Sequence, residues 1–290
     1  MGHGSSTQEP WSSSTGLFPV SGSLSDGALP WCYEDREDDT GDRMHIDDPQ
    51  TVPKGAIQRT ALILSALENA ERLTLSRIVA ATGLSRTSVH RALEQLVELR
   101  WVHRDGMDYQ LGLRMIELGS AAAQHNMVRR AALPTLHRLH RISGCVVHLG
   151  VLDGDDAVYL EAIGDEGSAV SNSRAGKRLP AASSTIGRAL LAAMGSDSPE
   201  AERVRQTRLA YDQEQCRKGF GCAAVPIGRI DTGQAAALSV FGPSARIGDR
   251  RLLASAQSAA AEIWRRIQAS PPTGRVARTW QHGNGAAVRS

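Results

Sequence analysis

The sequence predicts an α+β protein in two folded parts joined by a helix, and three observations carry that prediction. Residues 56–111 hold three helical apolar patterns, two of them separated by a glycine turn, and close on a pair of short β-prone runs. Residues 145–163 hold a second pair of β-prone runs around Asp153-Gly154-Asp155-Asp156, with an Ala/Leu-rich helix and more strands behind it. Both blocks are flanked by Ser-, Gly- and Pro-rich sequence that lacks sustained apolar periodicity. A chain of 290 residues, 41% hydrophobic, has material for one or two domains of ordinary size, and no run approaches the ~18 apolar residues of a membrane-crossing helix.

In the first block, Ile57, Ala61, Leu64 and Leu67 recur at helical spacing over residues 56–69. Thr74 is a candidate N-cap for a second helix over 75–81, which presents Ile78, Val79 and Ala81 for burial. Gly83 supplies the positive φ of a tight turn, Leu84 fills the angle between helices, and Ser85 caps a third helix running to about residue 99. That helix buries Val89, Leu93, Leu96 and Val97, which leaves Arg86, Thr87, Ser88, His90, Arg91 and Gln95 toward solvent. Residues 101–104 and 109–111 form a hairpin around Asp105-Gly106-Met107-Asp108. Three helices closed by a hairpin make a winged helix-turn-helix, whose third helix fits a major groove.

A linker helix follows over 113–125, with Met115, Ile116, Leu118 and Gly119 along one side. The second block opens with an amphipathic helix over 129–142, carrying Leu133, Leu136 and Leu139. Strands over 145–152 and 157–163, a helix over 185–194, strands over 222–230 and 235–241, and a final helix over 248–268 complete one α+β domain. The expected organisation is an acidic disordered arm (1–53), the winged helix-turn-helix (54–111), a linker helix (112–127), a sheet domain (128–270) and a loose tail (271–290). Residues 1–55 hold three basic against ten acidic residues, −7, while the remainder holds 30 against 21, +9. The arm is either a passive extension or a shield for the basic body against polyanions.

The third helix offers the sharpest chemistry. Its first turn combines unpaired backbone amides with Arg86, Thr87 and Ser88, and Arg91 lies one turn further, so phosphate anchoring and base contact come from the same end. Arg86 is the expected base reader, because a guanidinium binds guanine O6 and N7 bidentately, worth roughly 1–3 kcal/mol against a wrong base. Arg104 sits on the wing. Cys32, Cys145, Cys216 and Cys222 are too few and scattered for a disulfide framework, so thiols and a cytoplasmic setting are expected. His125, His137 and His140 lack a completing Cys or carboxylate cluster, so no metal is expected. Cys222, His148 and Asp212 are the residue types of a nucleophile, base and orienter, but spacing alone does not assemble a triad.

The stretch LSRIVAATGLSRTSVHRALEQLVELRWVHRD with the closing YQLGLR resembles the DNA-binding domain of the IclR (isocitrate-lyase-regulator) family of bacterial transcription factors. The likeness continues through VVHLGVLDGDDAVYLEAI, GKRLPAASSTIGRALLA, AYDQEQCRKGFGCAAVPI and ALSVFGP, and so covers roughly residues 56–268. The resemblance implies a regulator, not an enzyme, with no cofactor. It implies a dimer formed through the DNA-binding domains, often a tetramer through the others, that reads a pseudo-palindromic double-stranded operator. It also implies a GAF-like second domain binding a small metabolite, frequently an organic acid, at positions that here are Thr185, Ile186, Asp212, Cys222 and Ser239. The sequence departs from the family in a shorter connector over 194–209, in the bulk of Thr185, Ile186 and Phe241, and in Ala182 where histidine is common. A module that has lost effector sensing and, more remotely, a cysteine-dependent enzyme are the competing readings.

Overall fold

The computed structural model describes residues 55–68, 70–164, 173–230 and 233–269, so the arm expected over 1–53 and the tail expected over 271–290 lie outside the described residues. The first folded part comprises α1 (Ala56–Glu68), β1 (Leu73–Thr74), α2 (Leu75–Thr82), α3 (Arg86–Glu98), β2 (Val102–Asp105) and β3 (Asp108–Leu111), with a three-stranded sheet in the order β1-β3-β2. Thr74 Oγ1 accepts from the Arg77 amide and Ser85 Oγ from the Ser88 amide, so both expected caps start their helices, and Gly83 turns between them at φ 66°. Ile63, Leu67, Ile78, Val89, Leu93 and Val102 meet in one apolar core.

Two expected core residues are misplaced, and one of them is Ala81, which is exposed because Ile78 alone is buried on the short α2. Ile57 is 86% exposed, while Ile63 and Leu67 take the buried stripe of α1. The helix carries two apolar faces, since Ile57, Ala61 and Leu64 lie roughly 100° around the wheel from Ile63 and Leu67, and the second face wins the packing. Val97 is half-buried and flanks the core. The two-residue β1 went unread because so short a strand carries no alternation.

The expected linker helix is α4 (Leu113–His125), which buries no side chain of its own and leaves Leu113, Ile116 and Leu118 exposed. Beyond it lie α5 (Met127–Ser143), β4 (Val146–Asp153), β5 (Asp156–Ile163), β6 (Arg178–Pro180), α6 (Thr185–Met194), α7 (Pro199–Thr207), β7 (Ala210–Arg217), β8 (Phe220–Arg229), β9 (Ala235–Pro243), α8 (Ser244–Ile247) and α9 (Arg250–Ala269). The strands form one antiparallel sheet in the order β6-β5-β4-β9-β8-β7. Alternation along each strand separates two faces. Val147, Leu149, Leu238, Val240, Ala223 and Val225 pack against α5 and α9, whereas Ala157, Ala224, Ala235 and Ala237 pack against α6 and α7.

The connector over 194–209 is more than a loop. Ser198 caps α7, Pro199 opens it, and Ala201 and Val204 are buried against α6, so the short connector still supplies a covering helix. The edge strand β7 also went unread. Its polar sequence hides the alternation, and its register with β8 shifts between Gln213 and Arg217, where Glu214 adopts φ 63°.

Candidate functional site

Two surfaces concentrate functional side chains. The first lies between α3 and the hairpin, where Arg86, Thr87, His90, Arg91 and Arg104 line a groove of about 490 Å³ together with Thr74, Ser76 and Tyr109. Among the described residues no carboxylate lines it. Arg86 Nη1 donates to Ser76 Oγ at 3.2 Å, so the guanidinium at the start of α3 is braced by α2. Arg104 Nε donates to the Gly106 carbonyl at 2.9 Å and its guanidinium lies 5.6 Å from the Tyr109 ring, which folds this arginine along the wing. Arg72 fixes the wing from outside through Asp105 at 2.9 Å.

Of the other residues expected here, Ser85 and Ser88 join their hydroxyls at 2.9 Å and serve the helix cap. His90 Nδ1 lies 3.5 Å from Glu94 Oε2 one turn along. Gln95 is exposed nine residues from Arg86, about 13 Å along the helix axis, and lies outside the groove lining. The place of Ser76, Tyr109 and Thr74 in this groove was not read from the sequence. The signal for Ser76 is its place next to the N-cap of α2, where a small hydroxyl faces the helix that follows.

The second surface is the α6 face of the large sheet. Thr185, Ile186, Asp212 and Ser239 are each at most 4% exposed and Cys222 is half-buried. Register explains their meeting: Ser239 pairs with both His148 and Ala224, and Cys222 pairs with both Phe241 and Asp212. The Cys222 thiol hydrogen-bonds with Thr185 and Ser239, which ties the start of α6 to the central strands. Desolvation pushes that thiol up to about 12, the hydrogen bonds opposing and the Asp212 charge assisting. Ser184 Oγ accepts from the Gly187 amide and so caps α6 over the sheet.

Sequence reasoning missed one member of this surface and undervalued another. Arg188 Nη1 bonds Glu200 on α7 at 3.0 Å, and its Nη2 lies 3.4 Å from both Thr185 Oγ1 and the Tyr211 carbonyl, while its buried Nε has no partner among the described residues. The imidazole of His148 stacks on Tyr159 with ring centroids 4.5 Å apart, and its Nδ1 lies 3.2 Å from Ser239 Oγ. Its Nε2 is buried without a partner among the described residues. Burial, aided by the Lys177 charge, lowers this histidine to about 3, so the ring is neutral. If Ser239 donates to Nδ1, Nε2 carries the proton and is an unused donor.

These protonation states work against cysteine chemistry. A thiol held at about 12 and an imidazole held at about 3 do not exchange a proton to give the thiolate–imidazolium pair that nucleophilic catalysis needs. Gly150 and Ile186 show what fills the face: a Cβ on Gly150 would stand 2.7 Å from Ile186 Cδ1, so the glycine makes room for that side chain. Phe241 stacks on Phe220 with centroids 5.7 Å apart. His140, one of the candidate metal ligands, instead places Nδ1 2.8 Å from the Cys145 carbonyl at the end of α5.

Comparison with known proteins agrees with this geometry. Residues 56–106 match the family model described as the IclR helix-turn-helix domain, and residues 120–201 match the bacterial transcriptional regulator IclR C-terminal model, a match that ends inside α7. The chain is 28% identical over 225 residues to the HTH-type transcriptional regulator XynR of Escherichia coli, covering 68% of this chain and 89% of that one. It is 27% identical over 232 residues to KdgR of the same organism, covering 71% and 88%. Among solved structures, an IclR homolog from Microbacterium hydrocarbonoxydans complexed with 4-hydroxybenzoate superposes with TM-score 0.63 at 22% identity, over 74% of this chain and all of that one. An IclR family regulator from Brucella abortus gives TM-score 0.59 at 24% identity, over 75% and 92%.

Proposed function

This chain belongs to the IclR family of bacterial transcriptional regulators, and from that premise we propose that it acts in the cytoplasm as a dimer, or a tetramer built from dimers, whose two α3 helices read the half-sites of a pseudo-palindromic operator. Symmetry of the protein then dictates symmetry of the site. Arg86 reads a base, Arg91 and Arg104 hold phosphate, and Thr87, Ser88, His90 and Gln95 make secondary contacts. The observation that carries this reading is the groove between α3 and the wing, whose lining supplies three arginines and, among the described residues, no carboxylate. Ile57 on α1 and Leu113 and Ile116 on α4 are exposed apolar side chains, and a second copy packs over those of α4.

The effector is an organic acid bound on the α6 face. Two buried nitrogens without partners among the described residues, Arg188 Nε and His148 Nε2, support this, because each has bonding capacity left for a polar group of a ligand such as a carboxyl or hydroxyl. Arg188 also supplies the positive charge that offsets Asp212. The Microbacterium homolog binds an aromatic acid, which makes aromatic carboxylates the first class to try. Binding there changes affinity for DNA through α4, by favouring one arrangement of the paired winged helices over another. A second reading, loss of effector sensing, is favoured by Ile186 packed into the space above Gly150. Selecting an operator from random DNA and titrating it against a panel of aliphatic and aromatic carboxylates decides between them. One acid shifting operator affinity in the wild type but not in Arg188→Met supports the sensor, and indifference to the whole panel leaves the effector-free module.

A further inference from the structure

The cationic groove has a second candidate occupant within the same chain. Residues 34–48, EDREDDTGDRMHIDD, hold eight carboxylates against Arg36 and Arg43, a net charge of −6. The groove is built for such a partner: Arg86 is held by the neutral Ser76 hydroxyl and Arg104 by a carbonyl and an aromatic ring, so neither charge is offset by those contacts. Arg91 is exposed on the same lining. The surface that favours the phosphates of a duplex therefore favours closely spaced carboxylates as well.

Chain length permits the contact. Seven residues separate Asp48 from the start of α1. Eight Cα steps reach at most ~28 Å. A domain the size of residues 56–111 has a radius of gyration of about 10 Å, so the tether spans its own domain. A segment on so short a tether experiences an effective concentration on the order of millimolar, which makes even a weak site well occupied.

We propose that the acidic stretch 34–48 docks into the groove between α3 and the wing of its own chain and competes there with DNA phosphate. The inference rests on the DNA-binding reading above for its consequence, but the docking itself does not. The competition lowers affinity for every duplex by the same factor. Non-operator DNA, bound at ~10⁻⁴–10⁻⁶ M, loses occupancy, while an operator bound at ~10⁻⁸ M or tighter stays saturated. The arm thus sets a threshold that only the operator passes. If the free segment binds with a dissociation constant of ~0.2 mM, tethering at ~1 mM makes the factor about six.

The test uses the full chain with Glu34, Asp35, Glu37, Asp38, Asp39 and Asp42 changed to the matching amides, which removes six charges outside every described element. Binding of this variant and the wild type to a random-sequence duplex is compared by fluorescence anisotropy in dilute buffer. A fluorescent synthetic peptide spanning residues 31–50 is then titrated with the neutralised variant, alone and carrying Arg86→Ala and Arg91→Ala. The proposal expects about six-fold tighter duplex binding by the neutralised variant, peptide binding that salt and duplex abolish, and loss of peptide binding in the double arginine variant. Peptide that binds equally without the two arginines places the contact elsewhere and overturns the proposal, as does absence of peptide binding. Should neither protein bind any duplex while the peptide docks as expected, the DNA-binding reading fails and the docking stands.

Discussion

Gly187→Ala tests whether the start of α6 is positioned by close backbone packing. Gly187 is the third residue of α6, and its amide donates to the Ser184 cap at 3.2 Å. A Cβ built there would lie 2.2 Å from the Ala181 carbonyl oxygen and 2.3 Å from the Ala181 Cα. Both obstacles are backbone, so no rotamer change relieves them, and the helix start must move by about 1 Å to reach an ordinary contact. Overpacking of this kind costs about 1–3 kcal/mol. A weakened cap adds about 1 kcal/mol. The better helix propensity of alanine returns about 1 kcal/mol, leaving a net destabilisation of roughly 1–3 kcal/mol. For a sheet domain of about 140 residues that lowers its Tm by roughly 3–10 °C. Gly119→Ala in α4 is the matched control, since a Cβ there meets nothing within 4 Å and only the propensity gain of about 1 kcal/mol remains. Thermal unfolding by circular dichroism reads both. A Tm for Gly187→Ala equal to or above the wild type would refute the reasoning. The displaced Thr185 and Arg188 should also blunt any acid response while DNA binding without effector persists.

Arg86→Ala should relax base preference at one operator position by about 1–3 kcal/mol, whereas Arg91→Ala should weaken binding to all sequences and flatten the salt dependence by about one unit of slope, both read by anisotropy across a set of single-base operator variants. If the chain pairs as proposed, Ile116→Glu should give monomer in sedimentation experiments and abolish the advantage of two half-sites over one; a dimer that persists unchanged would move the interface off α4. His148 is neutral when folded and lowered to about 3, against about 6.5 when unfolded, so the unfolded chain binds the extra proton and stability is lost as pH falls through that window. His148→Gln should remove about 2 kcal/mol of the stability difference between pH 6.5 and pH 5 in urea unfolding, and equal pH dependence of the two proteins would contradict the buried neutral ring. Cys222, with its thiol at about 12, should resist iodoacetamide at pH 8 in the native protein and react once unfolded, as followed by peptide mass spectrometry.

Local signals made the DNA-binding half legible. Thr74, Gly83 and Ser85 are each read from rules that act over four residues, and each does in the structure what its rule says. Ile57 misled because two faces of α1 are apolar and only tertiary packing chooses between them. In the sheet domain, α6 was bounded by its Ala/Leu composition, while β7 and α7 were unread because their burial depends on partners far along the chain. Thr185, Cys222 and Ser239 entered through a family resemblance, and the structure brings them together through cross-strand register that no spacing in the sequence displays. Arg188 was hidden for the same reason. A lone arginine in an Ala/Leu helix reads as a solvated charge until Glu200 and Tyr211 are seen around it.

The two-faced sheet has an evolutionary corollary. Even-numbered positions of β4 such as 148 and 150 look toward α6, while 147, 149 and 151 are locked beneath α5 and α9. On the proposal that an effector binds on the α6 face, changes in what such a regulator senses fall on alternate residues along a strand, while the neighbours beneath α5 and α9 stay as they are. The two sets of positions are interleaved, yet those facing α6 also pack a core of their own, so a change there has to conserve volume: a Cβ at position 150 would meet Ile186 Cδ1 at 2.7 Å.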